Sequence, residues 1–236
     1  MEGRVSVDGT AANKAGQRVS PASVVELQAP RRYVSRGGEK LEGALHSFDI
    51  DVSGAVALDV GASTGGFTDC LLKRGAASVT AVDVGYGQLD WRLRNDARVT
   101  VLERTNFRLL PDDAFPSRFD LIVVDASFIS LRIILARAVT YLRPDGTIVA
   151  LVKPQFEAGR ERVARGGVVR ERATHLEVLR DVRSVAVHSG LVPVALCASP
   201  LMGPAGNREF FLLLRRGGEP VDDERIDAVL DESPAS

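Results

Sequence analysis

Four charged residues stand where strands or helices are predicted to begin or end. Asp125 and Lys153 each follow an apolar run, Glu209 precedes another, and Lys40 precedes a helical pattern. Taken singly, each of the four also fits a surface charge, although Lys153, between an apolar strand and a proline, fits it least. Together they form a set with a chemical rationale, because lysine and carboxylate side chains can hold and move a proton.

A glycine-rich turn connects the first predicted strand of the main domain to a helix. Residues 61–67 read Gly-Ala-Ser-Thr-Gly-Gly-Phe and follow Leu-Asp-Val at 58–60. Glycines there let the backbone approach a ligand, and the start of the helix offers free N–H groups. The spacing differs from the Gly-x-Gly-x-x-Gly of dinucleotide sites. Asp83 stands at the end of the next strand, where an acid can bind ribose hydroxyls. The turn and this acid together fit an S-adenosylmethionine site. The alternative is a strand–helix turn with a purely structural role.

The elements that must position these residues alternate between strands and helices from Lys40 to Arg216. Strands are predicted at 55–60, 78–82, 99–102, 119–124, 147–152, 192–198 and 209–215, and helices at 41–48, 66–75, 131–142 and 171–188. Continuous apolar strands between helices indicate a parallel sheet covered on both faces. The last two strands have only a short connection, which requires antiparallel pairing. We therefore predict an α/β, Rossmann-like fold with a mostly parallel seven-stranded sheet, an antiparallel last strand and a small β-rich N-terminal appendage.

Composition excludes several classes of protein. The chain has 236 residues, 45% of them hydrophobic and 26% charged, which excludes a wholly disordered chain, a collagen-like fibre and a disulfide-built miniprotein. No apolar run is long enough for a membrane helix. Its two cysteines and three histidines lack metal-ligand spacing, so we expect no metal site, no stable membrane insertion and a cytoplasmic protein.

The chain divides into four predicted segments. These are a β-rich piece at 1–30, a basic linker at 31–40, the main domain at 41–216 and an acidic tail at 217–236 whose end is expected to be disordered. The tail carries seven acids and one base, whereas the rest of the chain carries 29 bases and 24 acids. In the linker, Arg31, Arg32 and Arg36 are predicted to bind RNA phosphates and Tyr33 to stack on a base. A solvated linker is the alternative.

Two further features leave alternatives open. Five arginines after Lys153 fit either an RNA groove or exposed charges, and they are Arg160, Arg162, Arg165, Arg170 and Arg172. Trp91 follows a Gly-Tyr-Gly turn and fits loop packing better than a platform for a base.

Six ordered motifs resemble one protein family across residues 31–216. They are 35–41, 59–68, 83–89, 103–106, 125–130 and 152–157, which read SRGGEKL, DVGASTGGFT, DVGYGQL, ERTN, DASFIS and VKPQFE. Their sequences and order resemble the TlyA family of ribosomal-RNA 2′-O-methyltransferases, also called hemolysin A-like, within the FtsJ-like group. Residues 1–30 resemble part of the S4-like RNA-binding domain with which that family begins.

The resemblance implies an activity and a set of site residues. The family's Lys-Asp-Lys-Glu tetrad falls on Lys40, Asp125, Lys153 and Glu209, and the implied substrate is a cytidine ribose 2′-hydroxyl in the rRNA of both ribosomal subunits. We assign Lys153 as the base, Asp125 as its orienting partner, and the other two as residues that position the ribose. The expected S-adenosylmethionine-binding residues are Asp59, Gly61, Ala62, Ser63, Thr64, Gly65, Gly66, Phe67, Asp83, Glu103, Thr105, Asn106 and Asp125.

Three rival functions are weighed against this one. A nicotinamide-dependent dehydrogenase is disfavoured by the glycine spacing and by the lack of a substrate domain. A membrane-active, hemolysin-like protein is disfavoured because no segment resembles a membrane span. An RNA-binding protein without catalysis is disfavoured by the complete tetrad.

Overall fold

The computed structural model describes residues 5–12, 14, 16–27, 31–164 and 166–232. The chain forms two compact units, of which the first ends at Arg32 and the second begins at Tyr33. The larger unit therefore begins inside the linker that was predicted at 31–40. Its first helix starts at Arg36, also within that predicted linker.

The smaller unit contains a three-stranded antiparallel sheet. Its strands are β1 (Val5–Val7), β2 (Thr10–Ala11) and β3 (Val25–Leu27), in the order β2-β1-β3. These strands agree with the β-rich N-terminal appendage predicted from the sequence. The two-residue β2 is too short to produce an alternating pattern.

A seven-stranded sheet forms the centre of the larger unit, in the order β6-β5-β4-β7-β8-β10-β9. Its strands are β4 (Val56–Val60), β5 (Ser78–Val82), β6 (Val99–Leu102), β7 (Phe119–Val124), β8 (Leu142–Val152), β9 (Val192–Ala198) and β10 (Phe210–Arg215). Strands β4 to β8 pair in parallel, whereas β10 is antiparallel to both β8 and β9. The predicted sheet, with its antiparallel last strand, is confirmed.

Helices cover both faces of this sheet. They are α1 (Arg36–Ser47), α2 (Gly66–Lys73), α3 (Trp91–Arg94), α4 (Leu131–Tyr141), α5 (Pro154–Glu157), α6 (Arg172–His188) and α7 (Asp223–Asp231). One apolar core contains buried residues of α1 and α2, and the other contains buried residues of α4, α6 and α7. In α1 the fully buried Leu41, Ala44 and Leu45 follow the i, i+3, i+4 spacing of one helix face.

Strand β8 begins five residues earlier than the predicted strand at 147. It follows α4 directly and includes the Pro-Asp-Gly sequence at 144–146 that predicts a turn. Leu142 pairs with Phe119, and the register then shifts before Thr147 pairs with Leu121. The turn residues therefore form an irregular start of the strand.

Most of the acidic segment after Arg216, which was set apart as a tail on its sequence, packs as part of the larger unit. Helix α7 buries Ile226, Val229 and Leu230, and the exposed Asp223 pairs with Arg180 of α6 at 2.8 Å. The apolar positions repeat at helical spacing between the acids, which the charge composition obscured. The predicted disorder concerns the last residues, and 233–236 lie outside the described residues.

Among the helices of the described residues, none has the length and apolar character needed to cross a bilayer.

Candidate active site

The carboxyl edge of the parallel strands brings the four predicted tetrad residues into one cavity. Asp125 follows β7 and Lys153 follows β8, whereas Glu209 directly precedes the antiparallel β10. Lys40 lies in the first half of α1. All four line a cavity of about 300 Å³, as expected for a ligand site outside the strand ends.

Lys40 and Glu209 form a buried ion pair. The Lys40 Nζ atom lies 2.5 Å from Glu209 Oε2, and the two side chains are 10% and 0% exposed. Gln155 of α5 places its Nε2 atom 3.5 Å from Glu209 Oε1. The carboxylate of Glu209 is therefore fixed from two sides.

Lys153 is held by two neighbours at the start of the loop after β7. Its Nζ lies 2.6 Å from Asp125 Oδ1, yet this oxygen receives no aligned hydrogen bond, so the contact is a charge contact. The directed hydrogen bond goes from Nζ to Ser127 Oγ at 2.8 Å. The sequence reasoning missed Ser127, although its hydroxyl stands two residues after Asp125 in the same motif.

The glycine turn lies against the loop that carries Asp125. Gly61 has a φ of +89°, and a Cβ atom there would lie 2.6 Å from the backbone oxygen of Asp125. Gly65, the N-cap of α2, has a φ of +94°, and a Cβ there would collide with Leu93. Both positions require glycine because of their conformation and their close neighbours. Of the glycines in the turn, Gly61 and Gly66 line the cavity.

Asp83 connects the glycine turn to the loop after β5. Its Oδ2 accepts a hydrogen bond from the N–H of Ser63 at 2.8 Å, and its Oδ1 accepts one from Gly85 at 2.6 Å. Each carboxylate oxygen keeps a further lone pair for a ligand hydroxyl. Asp83, Thr105 and Asn106 line a second cavity of about 350 Å³.

The two cavities adjoin, since Gly61, Ser63, Asp125 and Ser127 line both of them. One cavity thus offers glycine backbone and lysine–carboxylate pairs, and the other offers an acid, an amide and apolar walls. This arrangement suits an elongated ligand whose two ends differ in polarity.

Three predicted cofactor residues, Asp59, Gly65 and Glu103, line neither cavity. The Glu103 carboxylate accepts hydrogen bonds from the Gly87 N–H at 2.9 Å and from Arg94 at 2.5 Å. Asp59 lies fully buried within β4, where its Oδ2 accepts a hydrogen bond from the Thr68 hydroxyl at 2.7 Å and its Oδ1 has no partner. Glu103 therefore holds the loop after β5, and Asp59 holds the first turn of α2.

The environment of Asp59 favours its protonated form. Burial is the main cause, and the nearby carboxylates of Asp125 and Asp83 add to it, while the Thr68 hydrogen bond opposes it. Together they raise the pKa of Asp59 to about 7.

Comparison with known proteins identifies the family. Residues 33–216 match the FtsJ-like methyltransferase family, starting at the first residue of the larger unit. The chain belongs to this family. Its relatives include the 16S/23S rRNA (cytidine-2′-O)-methyltransferase TlyA of Mycobacterium tuberculosis, 51% identical over 90% of this chain and 80% of that protein.

Two other similar proteins carry a different name. Hemolysin A of Brachyspira hyodysenteriae is 39% identical over 89% of this chain and 88% of its own length. The solved structure of a candidate hemolysin from Streptococcus thermophilus aligns with a TM-score of 0.82 and 42% identity, and the alignment covers 98% of this chain and 86% of that one.

Of the predicted RNA-binding residues, Tyr33 does not fit its assigned role. Its ring is 3% exposed, and its hydroxyl donates a 2.9 Å hydrogen bond to Glu42. A ring packed in this way is not available to stack on a base, so that prediction is wrong for this arrangement. Arg36 is exposed, lines the tetrad cavity and donates to the Met202 carbonyl at 2.9 Å. Arg31 and Arg32 are exposed residues of the smaller unit.

Glu157 is a site residue that the sequence reasoning missed. Its carboxylate accepts hydrogen bonds from the Ser130 hydroxyl at 2.7 Å and from the Leu131 N–H at 2.8 Å. It thereby connects α5, which starts after Lys153, to the end of the loop that starts at Asp125. Burial is the main cause of its raised pKa.

The remaining predicted features have mixed outcomes. Trp91 is 75% exposed, so the packing prediction is wrong for its side chain. Arg162 pairs with Glu177, and Arg172 pairs with two acids of α7. Arg165 lies outside the described residues.

Proposed function

We propose that this protein is an S-adenosylmethionine-dependent methyltransferase that methylates a cytidine ribose 2′-hydroxyl in the rRNA of both ribosomal subunits. The observation that carries the proposal is Lys153, held by Asp125 and Ser127, in a cavity continuous with the glycine turn. The name and 51% identity of the Mycobacterium tuberculosis relative support the choice of substrate.

The residues around the two cavities fit S-adenosylmethionine. The backbone of the glycine turn suits the amino-acid end of the cofactor, because Gly61 and Gly66 line the first cavity without side chains. Asp83 suits the ribose hydroxyls, and Thr105 with Asn106 suits the adenine end of the second cavity. When bound, the cofactor supplies an electrophilic methyl group.

The protein's own task is to align and deprotonate the hydroxyl. A ribose hydroxyl is a poor nucleophile until it loses its proton, and correct alignment removes much of the barrier. Lys153 in its neutral form accepts that proton at Nζ, while Asp125 and Ser127 hold the amine in place. Lys40 and Glu209, fixed to each other, position the ribose.

RNA binding and location follow from the same proposal. Arg31, Arg32 and Arg36 contact phosphates of the rRNA, and the smaller unit acts as part of an S4-like RNA-binding domain. The partners are rRNA or ribosomal subunits, and the site of action is the cytoplasm.

The decisive experiment measures methyl transfer from labelled S-adenosylmethionine to naked rRNA, to separate subunits and to intact ribosomes. We expect label at a cytidine 2′-oxygen in the rRNA of each subunit, and no label with Lys153→Ala. Lys73→Ala is the matched control, since Lys73 is a half-exposed lysine paired with Asp69 on α2. No transfer by the unmodified protein to any of these substrates would refute the proposal.

The role of Lys153 needs a second variant. Lys153→Arg keeps the positive charge but does not deprotonate at a working pH, so we expect it to be nearly as inactive as Lys153→Ala. Both variants should keep the affinity for S-adenosylmethionine. A near-normal rate with arginine would show that the residue acts as a fixed charge, and the base assignment would fall.

A further inference from the structure

A third cavity, of about 510 Å³, adjoins the tetrad cavity and has a cationic lining. Met202 lines both cavities. The charged or titratable residues that line the third cavity are Arg170, Arg172, His175 and Arg208, and no described acidic side chain lines it. Because Arg208 directly precedes Glu209, this cationic cavity lies beside the ion pair of the tetrad.

Two of the three arginines are fixed by helix α7. Arg172 binds the carboxylates of Asp227 and Asp231, each at 2.9 Å. Arg208 instead donates to main-chain carbonyls near the end of α7, those of Val229, Leu230 and Glu232, at 2.6 to 2.7 Å.

The charge of Arg208 is therefore not matched by a direct ion pair. Burial is the main reason that the pKa of Arg208 is lowered, the neighbouring Arg172 adds to this effect, and the acids Glu232 and Asp231 oppose it. Its Nε atom is also buried without a hydrogen-bond partner. Arg208 is thus a half-buried cation without a carboxylate partner, and an anion in the cavity would stabilise it.

The guanidinium of Arg170 is available to donate hydrogen bonds to a ligand. It is exposed, and no ion pair or hydrogen bond engages its side chain among the described residues. It stands two residues before the start of α6, whose N-terminal end carries a partial positive charge.

His175 provides an independent sign of a missing ligand. The ring is 5% exposed and packs edge-on against Phe210 at 5.7 Å between centroids. Its Nε2 atom has no hydrogen-bond partner, which is uncommon for a buried polar atom and costs stability. In the tautomer that carries its proton on Nε2, the ring would be satisfied by a ligand in the cavity that accepts a hydrogen bond.

We propose that the cationic cavity binds a phosphodiester group of the substrate RNA strand, contacted by Arg170 and His175 and attracted by the fixed charges of Arg172 and Arg208. This inference rests on the proposed function. A 2′-hydroxyl in the tetrad cavity has a phosphodiester on the adjoining 3′-carbon, so an anion-binding cavity next to the tetrad has the position that the strand requires.

The first test observes anion binding directly. The chain has three histidines, and His46 and His188 are exposed residues elsewhere. The imidazole NMR signals of the full chain are followed during titration with inorganic phosphate and with a short single-stranded RNA, against chloride at equal ionic strength. We expect a saturable shift of the His175 signal alone, abolished in Arg170→Ala. A shift of equal size in chloride, or one that Arg170→Ala leaves intact, would overturn the proposal.

The second test measures the cavity's contribution to catalysis. Arg170→Ala should raise the KM for rRNA about tenfold, the effect expected for one charge-assisted hydrogen bond, and should reduce the slope of log KM against log salt by about 0.7–0.9. The kcat and the cofactor affinity should not change. Arg180→Ala is the matched control, because Arg180 lies on α6 and pairs with Asp223.

The two tests separate the failure of this inference from failure of the proposed function. An active protein whose KM and salt slope are unaffected by Arg170→Ala would reject the phosphodiester site alone. If the unmodified protein methylates no rRNA, the proposed function fails. If, in addition, phosphate does not shift the His175 NMR signal of that protein, the anion site is rejected as well.

Discussion

The two lysine–carboxylate pairs differ in how far they are withdrawn from water. The two lysine side chains are about equally enclosed, at 10% exposed for Lys40 and 11% for Lys153, whereas Glu209 is 0% and Asp125 is 25% exposed. Water cannot replace a missing member of a buried ion pair, so removing one member leaves the other as a buried, unpaired charge. The enclosed pair therefore suits a fixed part of the cavity wall, and the pair with the more exposed carboxylate suits the proposed proton transfer.

Removing Lys40 should destabilise the fold. Lys40→Met leaves the Glu209 carboxylate buried without its cation, and we expect the free energy of unfolding to fall by about 3–5 kcal/mol. Urea unfolding measures the change, and the double variant Lys40→Met with Glu209→Gln should recover part of it. Lys73→Met removes a half-exposed lysine, and its partner Asp69 keeps the hydrogen bond from the Val34 N–H, so the change should stay within about 1 kcal/mol. Equal stability of Lys40→Met and the unmodified protein would contradict the structural role.

Asp59 should make stability fall as the pH rises. Its pKa is raised to about 7 in the folded protein and is about 3.9 in an unfolded chain. Between these values the folded state holds a proton that the unfolded state has released, so this contribution is complete below about pH 4 and disappears as pH passes 7. The whole shift corresponds to roughly 4 kcal/mol.

Asp59→Asn tests this effect, because an amide stays neutral at every pH. The variant should be more stable than the unmodified protein at pH 8, and its stability should vary less between pH 5 and pH 8. Urea unfolding at the two pH values measures both quantities. Identical pH profiles would show that Asp59 is not the responsible group.

At the scale of elements, Glu157 couples the two loops that carry the proton-transfer residues. It accepts hydrogen bonds from Ser130 and from the first N–H of α4. Glu157→Gln replaces one acceptor oxygen with a donor, and Glu157→Ala removes both oxygens. We expect kcat to fall about tenfold with glutamine, equivalent to about 1.4 kcal/mol, and further with alanine, while cofactor affinity changes little.

Glu161→Gln is the control for the Glu157 variants, since Glu161 is exposed in the same connection. A loss of cofactor affinity as large as the loss of kcat would indicate general loosening of the loops instead of a positioning effect.

Helix α7 should be stabilised by its apolar face and not by its many charges. Leu230→Ala removes a buried side chain and should cost about 2–5 kcal/mol. Arg180→Ala breaks an exposed pair with Asp223 and should change stability by at most about 1 kcal/mol. Chemical unfolding distinguishes these values, and a larger destabilisation by Arg180→Ala would reverse the conclusion.

The elements that were predictable from the sequence have a strong local signal. Strands such as β4 and β7 are apolar runs with a single aspartate each. The rule that ligands bind at the carboxyl edge of parallel strands then places Asp125 and Lys153 together. Helix α7 was not predicted because its acids dominate the composition of the segment. The single-turn helices α3 and α5 are too short to show a helical repeat of apolar residues. The bridges of Ser127 and Glu157 depend on where two distant loops meet, which no local pattern encodes.

At the scale of the whole molecule, the smaller unit is predicted to contribute to RNA affinity. Replacing Arg31 and Arg32 together by alanine should weaken rRNA binding and reduce the slope of log K against log salt by up to about 0.9 for each phosphate that is no longer neutralised. Cofactor affinity, measured by calorimetry, should not change. An unchanged slope with weaker binding would mean that these arginines act on folding and not on phosphates.

The exposed tryptophan at the start of α3 has a practical consequence. The chain has one tryptophan, and Trp91 is 75% exposed. The preceding residue, Asp90, donates its N–H to the Thr64 carbonyl at 3.2 Å, and Leu93 packs against Gly65. Indole emission depends on the polarity and the quenchers around the ring. The molecule thus contains its own optical reporter beside the glycine turn, whose spectrum can follow events there without a label and without background from a second indole.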